Sequence, residues 1–184
     1  MRSPPDRRRE LFEAAALPCA GAVHRFILKL TRDPAMAEDL VQDILLRAYR
    51  SFDAFEEGTN CRAWLLSIAY SVFINRRRKE DRSPRLVEFS EIDSEQVPDP
   101  GWSVHRDVWT GARLETALLA LPEGIRAVVV LVLIEELTYE EAAAVLRCPV
   151  GTIRSRLFRG RRALFTSLQQ QAAEAGLLDV TRKP

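Results

Sequence analysis

Arginines are concentrated in the stretch from Arg147 to Gln171, which contains no acidic residue. A guanidinium group neutralises a phosphate or forms two parallel hydrogen bonds with a guanine edge, so this stretch is suited to binding DNA. A solvated basic face on an ordinary helix pair is the alternative interpretation of the same charges. The polar and basic side consists of Arg154, Ser155, Arg156, Arg159 and Arg162.

Two short helices joined by a tight turn would position these arginines. Thr138, with Glu141 three residues later, has the spacing of a capping box, which starts a helix. Pro149 ends that helix, because proline lacks a backbone donor and clashes with the preceding turn. A second helix follows, with Ile153 and Leu157 on its apolar side. The pattern predicts a helix-turn-helix that lays the arginine side into the DNA major groove.

A second candidate site combines aromatic and basic residues on a predicted helix from about residue 62 to residue 79. Trp64, Tyr70 and Phe73 lie on this helix, which ends in the basic run NRRRK from Asn75 to Lys79. Flat rings stack on bases while cations follow the phosphate backbone, so the combination favours single-stranded nucleic acid. Core packing is the alternative role for Trp64 and Phe73.

Composition narrows the class of protein. The chain has 184 residues, of which 47% are hydrophobic and 29% charged, which suits one domain or two small ones. The net charge of +1 conceals an acidic segment between the two basic clusters. The three cysteines form no C-x-x-C pair, so we expect no disulfide framework, metal or cofactor. The sequence shows neither a glycine-rich phosphate loop nor a nucleophile–base constellation, so we do not expect an enzyme.

The sequence favours a protein that does not enter a membrane. The N-terminus has basic residues but lacks the apolar core of a signal peptide. The longest apolar run, from Ala127 to Ile134, is far too short for a membrane span. Its valines have strand propensity. We nevertheless predict a helix there, because Pro122 gives it a good start and no partner strand is visible.

Helical periodicity predicts an all-α fold of two small helical domains joined by a flexible acidic linker. We predict the domains over residues 11–80 and 108–171, with the linker over 81–107. A disordered N-terminal tail covers residues 1–10, and a C-terminal tail covers residues 172–184. The clearest helix follows Asp33, a suitable cap, and Pro34, which fits the first helical position. Its continuous apolar stripe consists of Ala37, Leu40, Val41, Ile44, Leu45 and Ala48.

Three motifs at this spacing resemble bacterial RNA polymerase sigma factors of the extracytoplasmic-function type, within the sigma-70 family. The resemblance extends from about residue 17 to residue 170. The motifs resemble, in chain order, the family's core-polymerase-binding helix, its −10 promoter region and its −35 helix-turn-helix. They are AEDLVQD (37–43) with LRAY (46–49), WLLSIA (64–69) with NRRR (75–78), and LTYEEAA (137–143) with PVGTIRSR (149–156).

The resemblance implies a non-enzymatic factor that binds core polymerase, directs promoter-specific initiation and nucleates DNA opening. It assigns contact with the polymerase to Asp39, Gln42, Asp43 and Arg47. It assigns contact with the −10 element, and with a base flipped out of it, to Asn60, Trp64, Phe73, Asn75, Arg76 and Arg77. It assigns contact with the −35 element to Thr152, Arg154, Ser155, Arg156, Arg159 and Arg162.

The resemblance also implies partners and a location. The partners are the β′ and β subunits of core RNA polymerase, promoter DNA and an anti-sigma protein, with no small-molecule substrate, in the bacterial cytoplasm. The acidic linker would thread toward the polymerase active-site channel. Three positions depart from the family's common residues: Ser71 replaces Asn, Asn75 replaces Asp and Gly160 replaces Ala. The alternative function is a helix-turn-helix regulator that binds palindromic DNA as a dimer, without polymerase.

Overall fold

The computed structural model describes the backbone of residues 4–56, 58–80 and 111–174. All long elements there are helices, which confirms the predicted all-α fold. The predicted linker, residues 81–107, lies outside the described residues. We call the first four helices the N-terminal module: α1 (Pro4–Ala16), α2 (Ala20–Thr31), α3 (Pro34–Arg50) and α4 (Cys61–Glu80). The C-terminal module comprises α5 (Gly111–Ala120), α6 (Glu123–Val129), α7 (Tyr139–Leu146) and α8 (Val150–Glu174).

The predicted stripe of α3 holds the N-terminal module together. Asp33 caps α3 by accepting a hydrogen bond from the Met36 amide at 3.1 Å, and Pro34 is the first helical residue. Helix α3 packs against both α2 and α4. Its buried residues Leu40 and Ile44 join a core with those helices. The opposite face of α3 is therefore left to solvent.

Helix α1 corrects the expectation of a disordered tail over residues 1–10, because the helix already begins at Pro4. Phe12 is buried, and its ring meets those of Tyr49 and Phe52 edge-on, with centroids 5.3 Å apart in both pairs. The Arg8 guanidinium donates to the Tyr49 carbonyl at 2.8 Å. These contacts with the end of α3 order the segment, although its sequence has no clear helical stripe.

Helices α6 and α8 approach closely because residue 160 is glycine. A Cβ atom there would lie 2.5 Å from Val129 Cγ2 and 2.9 Å from Ile125 Cγ2, which are distances that real contacts do not reach. Glycine in a helix interior costs about 1 kcal/mol relative to alanine. The close helix contact, which alanine would not permit without movement, offsets that cost. The departure at Gly160 therefore has a packing reason.

The valine-rich run is helical, as predicted, but it changes geometry midway. After α6 the chain widens into a π-helical turn over Val130–Ile134, in which the Glu135 amide donates to the Val130 carbonyl at 2.9 Å. Val130 and Leu131 are fully buried in this turn. The wider turn leads into a fully buried Glu135. Short 3-10 turns at Leu17–Cys19 and Phe52–Ala54 complete the described elements.

One stretch, Arg7–Thr31, is long and apolar enough to cross a membrane by length and composition alone. The core helix of a soluble protein passes the same test, so this is weak evidence for a span. The stretch consists of two helices interrupted by the turn at Leu17–Cys19. The apolar residues Phe26 and Ile27 of its second helix are fully buried in the N-terminal module.

Candidate nucleic-acid interface

The predicted capping box is present at the start of α7. The Glu141 amide donates to Thr138 Oγ1 at 3.1 Å, and the Thr138 amide donates to Glu141 Oε2 at 2.8 Å. Helix α7 ends where Arg147 takes a left-handed conformation, with φ of 52°. The Cys148 amide then donates back to the Ala143 carbonyl at 3.1 Å, which closes the helix end. This turn, together with Pro149, ends α7 and sets the direction of α8.

The basic side chains of α8 do not all lie on one side. Arg154, Arg159 and Arg162 are exposed, and the Arg154 guanidinium lies 6.0 Å from the centroid of the Tyr139 ring. Arg156 is half-buried, and its Nη1 lies 3.4 Å from the position that a Cβ on Gly124 would take. The structure therefore separates Arg156 from the exposed arginines with which the sequence grouped it.

Two hydroxyl residues support the start of α8. Thr152 and Ser155 are half-buried, and the Ser155 hydroxyl donates to the Thr152 carbonyl at 3.2 Å. Because the Thr152 amide in turn donates to the Pro149 carbonyl at 2.9 Å, the first turn of the helix is well bonded. The arginines that follow it are held on a defined element.

At the N-terminus of α4, Asn60 has two roles at once. Its Oδ1 accepts a hydrogen bond from the Ala63 amide at 3.2 Å, which caps the helix. Its Nδ2 donates to Glu141 Oε1 in the C-terminal module at 2.7 Å. Base contact was the role that the resemblance assigned to Asn60. The structure makes the cap definite, and the side chain's amide group is turned toward α7.

An aromatic cluster lies beside Asn60 and includes two rings that sequence reasoning did not select. Trp64 is half-buried, with its ring centroid 5.1 Å from that of Phe55 and 6.2 Å from that of Phe52. Phe52 and Phe55 are nearly parallel, 5.8 Å apart. The sequence FDAF (52–55) was the available signal. The cluster provides ring surface next to Asn60.

Phe73 was wrongly assigned to the DNA-contacting surface. Its side chain is 1% exposed and belongs to the hydrophobic core. It follows Leu65, Leu66 and Ala69 at helical spacing, so it lies on the buried face of α4. By contrast, the residues at the end of α4 are exposed: Asn75, Arg76 and Arg77.

The four residues assigned to the polymerase contact, Asp39, Gln42, Asp43 and Arg47, are all exposed on α3. They lie opposite the buried stripe, and they surround Leu46, whose side chain is 55% exposed. An exposed leucine among charges is a feature of protein–protein contact surfaces, and sequence reasoning did not select it. Among the described residues, no group of three or more His, Cys, Asp or Glu could hold a metal ion.

The two modules are in direct contact. Helix α4 packs against α7, and α2 packs against α6. The Arg25 guanidinium donates two hydrogen bonds of 2.9 Å to the carboxylate of Glu135. This bonding raises the pKa of Arg25. Lys29 pairs with Glu115, and Arg77 lies 3.6 Å from Glu123.

These features define a class of protein: two helical modules, each of which presents exposed arginines on a helix, as expected of a protein that contacts DNA at two sites. The sequence matches the Sigma-70 region 2 family over residues 18–83 and the Sigma-70, region 4 family over residues 111–164. The chain belongs to the extracytoplasmic-function (ECF) sigma factors of the sigma-70 family.

Individual relatives support this assignment. The chain is 37% identical to the ECF RNA polymerase sigma factor SigE of Mycolicibacterium smegmatis over 84% of its own length and 60% of that relative's. It is 34% identical to EcfG of Rhodopseudomonas palustris, covering 87% of this chain and 84% of the relative. The fold is similar to a chain in the co-crystal structure of the sigma factor RpoE with the anti-sigma factor NepR from Bartonella quintana. That likeness has a TM-score of 0.66 and 30% identity, and covers 86% of this chain and 96% of that one.

Membership confirms the resemblance inferred from the three motifs. Sigma factors are soluble, non-enzymatic factors that direct promoter-specific transcription initiation. The alternative of a dimeric helix-turn-helix regulator is not favoured, because region 2 would have no place in it.

Proposed function

We propose that this chain binds the β′ and β subunits of core RNA polymerase and directs the enzyme to promoters in the bacterial cytoplasm. The observation that carries the proposal is the exposed face of α3. Its opposite side is committed to the core, so Asp39, Gln42, Asp43 and Arg47 are available to a partner. The acids Asp39 and Asp43 lie four residues apart and repel each other by a few tenths of a kcal/mol, roughly, which a basic partner surface would offset.

For the −10 element, we propose that the loop before α4 holds a flipped base. Extracting a base from the stack costs a few kcal/mol, roughly, and stacking on a ring returns about 1–3 kcal/mol per base. The cluster of Trp64, Phe52 and Phe55 supplies such rings beside Asn60. Asn75, Arg76 and Arg77 are exposed further along α4 and would follow the strand's phosphates.

For the −35 element, we propose that α8 enters the major groove with Arg154, Arg159 and Arg162. These three arginines are exposed, and Thr152 and Ser155 at the start of the helix would contact the backbone. The position of Arg156 beside Gly124 supports a role in the contact between helices. Base contact by Arg156 would require its side chain to move.

Promoter binding would require the modules to part. The two elements are centred roughly 25 base pairs apart, which is about 85 Å at about 3.4 Å per pair. Helix α4 and helix α7 are in contact, so the two modules cannot reach both elements in this arrangement. Opening would break the hydrogen bonds from Asn60 to Glu141 and from Arg25 to Glu135. An anti-sigma protein would act on this chain by covering the α3 face. RpoE, whose fold is similar, was crystallised with the anti-sigma factor NepR.

The test of the class of function is association with sigma-free core RNA polymerase, followed by run-off transcription on a fragmented genomic library. We expect a stable complex and transcripts from a small set of promoters that share two elements. A purified chain that neither binds the polymerase nor supports any transcript would overturn the proposal.

Charge reversal tests the α3 face. We expect Asp39→Lys with Asp43→Lys to weaken polymerase binding by tenfold or more, which corresponds to about 1.4 kcal/mol. A matched control carries the same charge change at two exposed acids elsewhere, Glu136→Lys with Glu174→Lys. Equal binding by both double variants would remove α3 from the interface.

Removing one arginine tests the groove contact. We expect Arg154→Ala to lower transcription from a promoter with a −35 element by about tenfold, since a base-contacting arginine is worth about 1–3 kcal/mol. Binding to core polymerase should not change. Arg7→Ala, an exposed arginine on α1, serves as the control. If Arg154→Ala lost polymerase binding to the same extent, the residue would be structural.

A further inference from the structure

Two of the three cysteines come together in the folded chain. Cys19 ends the 3-10 turn before α2, and Cys61 begins α4. The turn packs against α4, and both thiols are half-buried. Both also line one open cavity of about 450 Å³, along with Arg25 and Asn60. A small molecule in that cavity would contact both cysteines.

The surroundings give the two thiols different roles. Burial raises the pKa of the Cys61 thiol to about 11, and the neighbouring Cys19 adds to this through its charge and a hydrogen bond. Cys61 therefore keeps its proton at neutral pH. The Cys19 thiol donates a hydrogen bond to the Ala15 carbonyl oxygen at 3.8 Å. The pKa of Cys148 is raised by burial and lowered by Arg156, and neither of these causes is a second thiol.

We propose that Cys19 and Cys61 are a redox modification site, at which a small hydroperoxide converts the two thiols into a reversible disulfide. The Cys19 sulfur gives up its proton and attacks one peroxide oxygen, the O–O bond breaks, and the leaving oxygen takes up that proton and departs as water (or as an alcohol). Cys19 is then a sulfenic acid. The Cys61 sulfur attacks it, the S–O bond breaks and the second oxygen leaves as water. Two thiols are oxidised and one peroxide is reduced, and a dithiol reductant reverses the change by exchange.

The site goes beyond promoter and polymerase binding, and its chemistry does not depend on them. The disulfide would join the turn before α2 to the residue next to Asn60, at the start of α4. Cross-linking these two elements restricts the unfolded chain, so the oxidised protein should melt at a higher temperature than the reduced one. The thiol state is measured directly, so this proposal and the proposed function stand or fall separately.

The experiment uses the full chain, reduced, desalted and treated with stoichiometric hydrogen peroxide, then alkylated with iodoacetamide. We expect an intact monomer that has lost two hydrogens, carries one alkyl group on Cys148, and yields a linked peptide pair containing Cys19 and Cys61. Dithiothreitol should restore three alkylatable thiols. Cys148→Ser should form the same linked pair. Cys61→Ser should instead trap the Cys19 sulfenic acid, which dimedone labels.

Other products would overturn the proposal. Independent sulfinic acids on Cys19 and Cys61, a disulfide that includes Cys148, or a linkage between two chains would each show that the two thiols do not act as a pair. Three thiols that remain alkylatable after peroxide treatment would do the same. The wild-type chain and Cys148→Ser decide the matter even if Cys61→Ser folds poorly.

Discussion

The two modules are built from helices of similar kind, yet they are sensitive to opposite changes in volume. The N-terminal module fills its centre with large side chains such as Phe26 and Phe73, both fully buried or nearly so. The C-terminal module depends on the absence of a side chain at Gly160, where two helices meet. Loss of volume should therefore damage the first module, and gain of volume the second.

Truncation of Phe73 should produce the largest effect. We expect Phe73→Ala to destabilise the N-terminal module by about 3–5 kcal/mol, because it removes a buried ring and leaves a cavity. Urea unfolding with hydrogen exchange on α4 and α8 would measure it, and the loss of protection should be larger on α4 than on α8. The same change at Phe165, which is 47% exposed on α8, should cost less than about 0.5 kcal/mol. If Phe73→Ala and Phe165→Ala destabilised the protein equally, the proposed contrast between the modules would be wrong.

Addition of one methyl group should produce the next largest effect, in the other module. We expect Gly160→Ala to destabilise by about 1–3 kcal/mol, because the new Cβ overlaps Val129 and Ile125. Gly151→Ala lies on the same helix, where a Cβ meets nothing within 4 Å, and should stabilise by about 0.4–1 kcal/mol. Thermal unfolding should show a lower melting temperature for Gly160→Ala and a higher one for Gly151→Ala. A stabilised Gly160→Ala would show that α6 and α8 separate easily.

Loss of the α7 cap should produce the smallest effect. We expect Thr138→Ala to cost about 1 kcal/mol, because it removes the acceptor of the Glu141 amide. Hydrogen exchange should show faster opening at the first turn of α7, and Thr138→Ser should restore protection. Thr166→Ala, which removes an exposed hydroxyl bonded to the Arg162 carbonyl, is the control and should be nearly neutral. An unprotected Glu141 amide in the wild type would contradict the expectation.

Local rules predicted much of this molecule. Caps at Asp33 and Thr138 depend on neighbouring residues only, so the sequence was sufficient to predict them. The order of α1 was not predictable in this way, since it depends on contacts with Tyr49 and Phe52 at the far end of α3.

The candidate site was predicted less completely than the fold. Residue type suggested that Phe73 faces DNA, but helical spacing places it on the buried face of α4 with Ala69. Charge suggested that Arg156 acts with Arg154, but the two residues differ by about 200° around a helix of about 3.6 residues per turn. Glu135 was not selected at all, because its partner Arg25 is 110 positions away.

The pair of Arg25 and Glu135 has a consequence for hybrid sigma factors. Glu135 is fully buried and Arg25 belongs to the other module, so a chimera that takes each module from a different parent loses the pair unless both parents carry it. A buried carboxylate without its arginine is destabilising, and the molecule would relieve that cost by holding its halves apart. Promoter-swapping chimeras should therefore take the residues at positions 25 and 135 from the same parent.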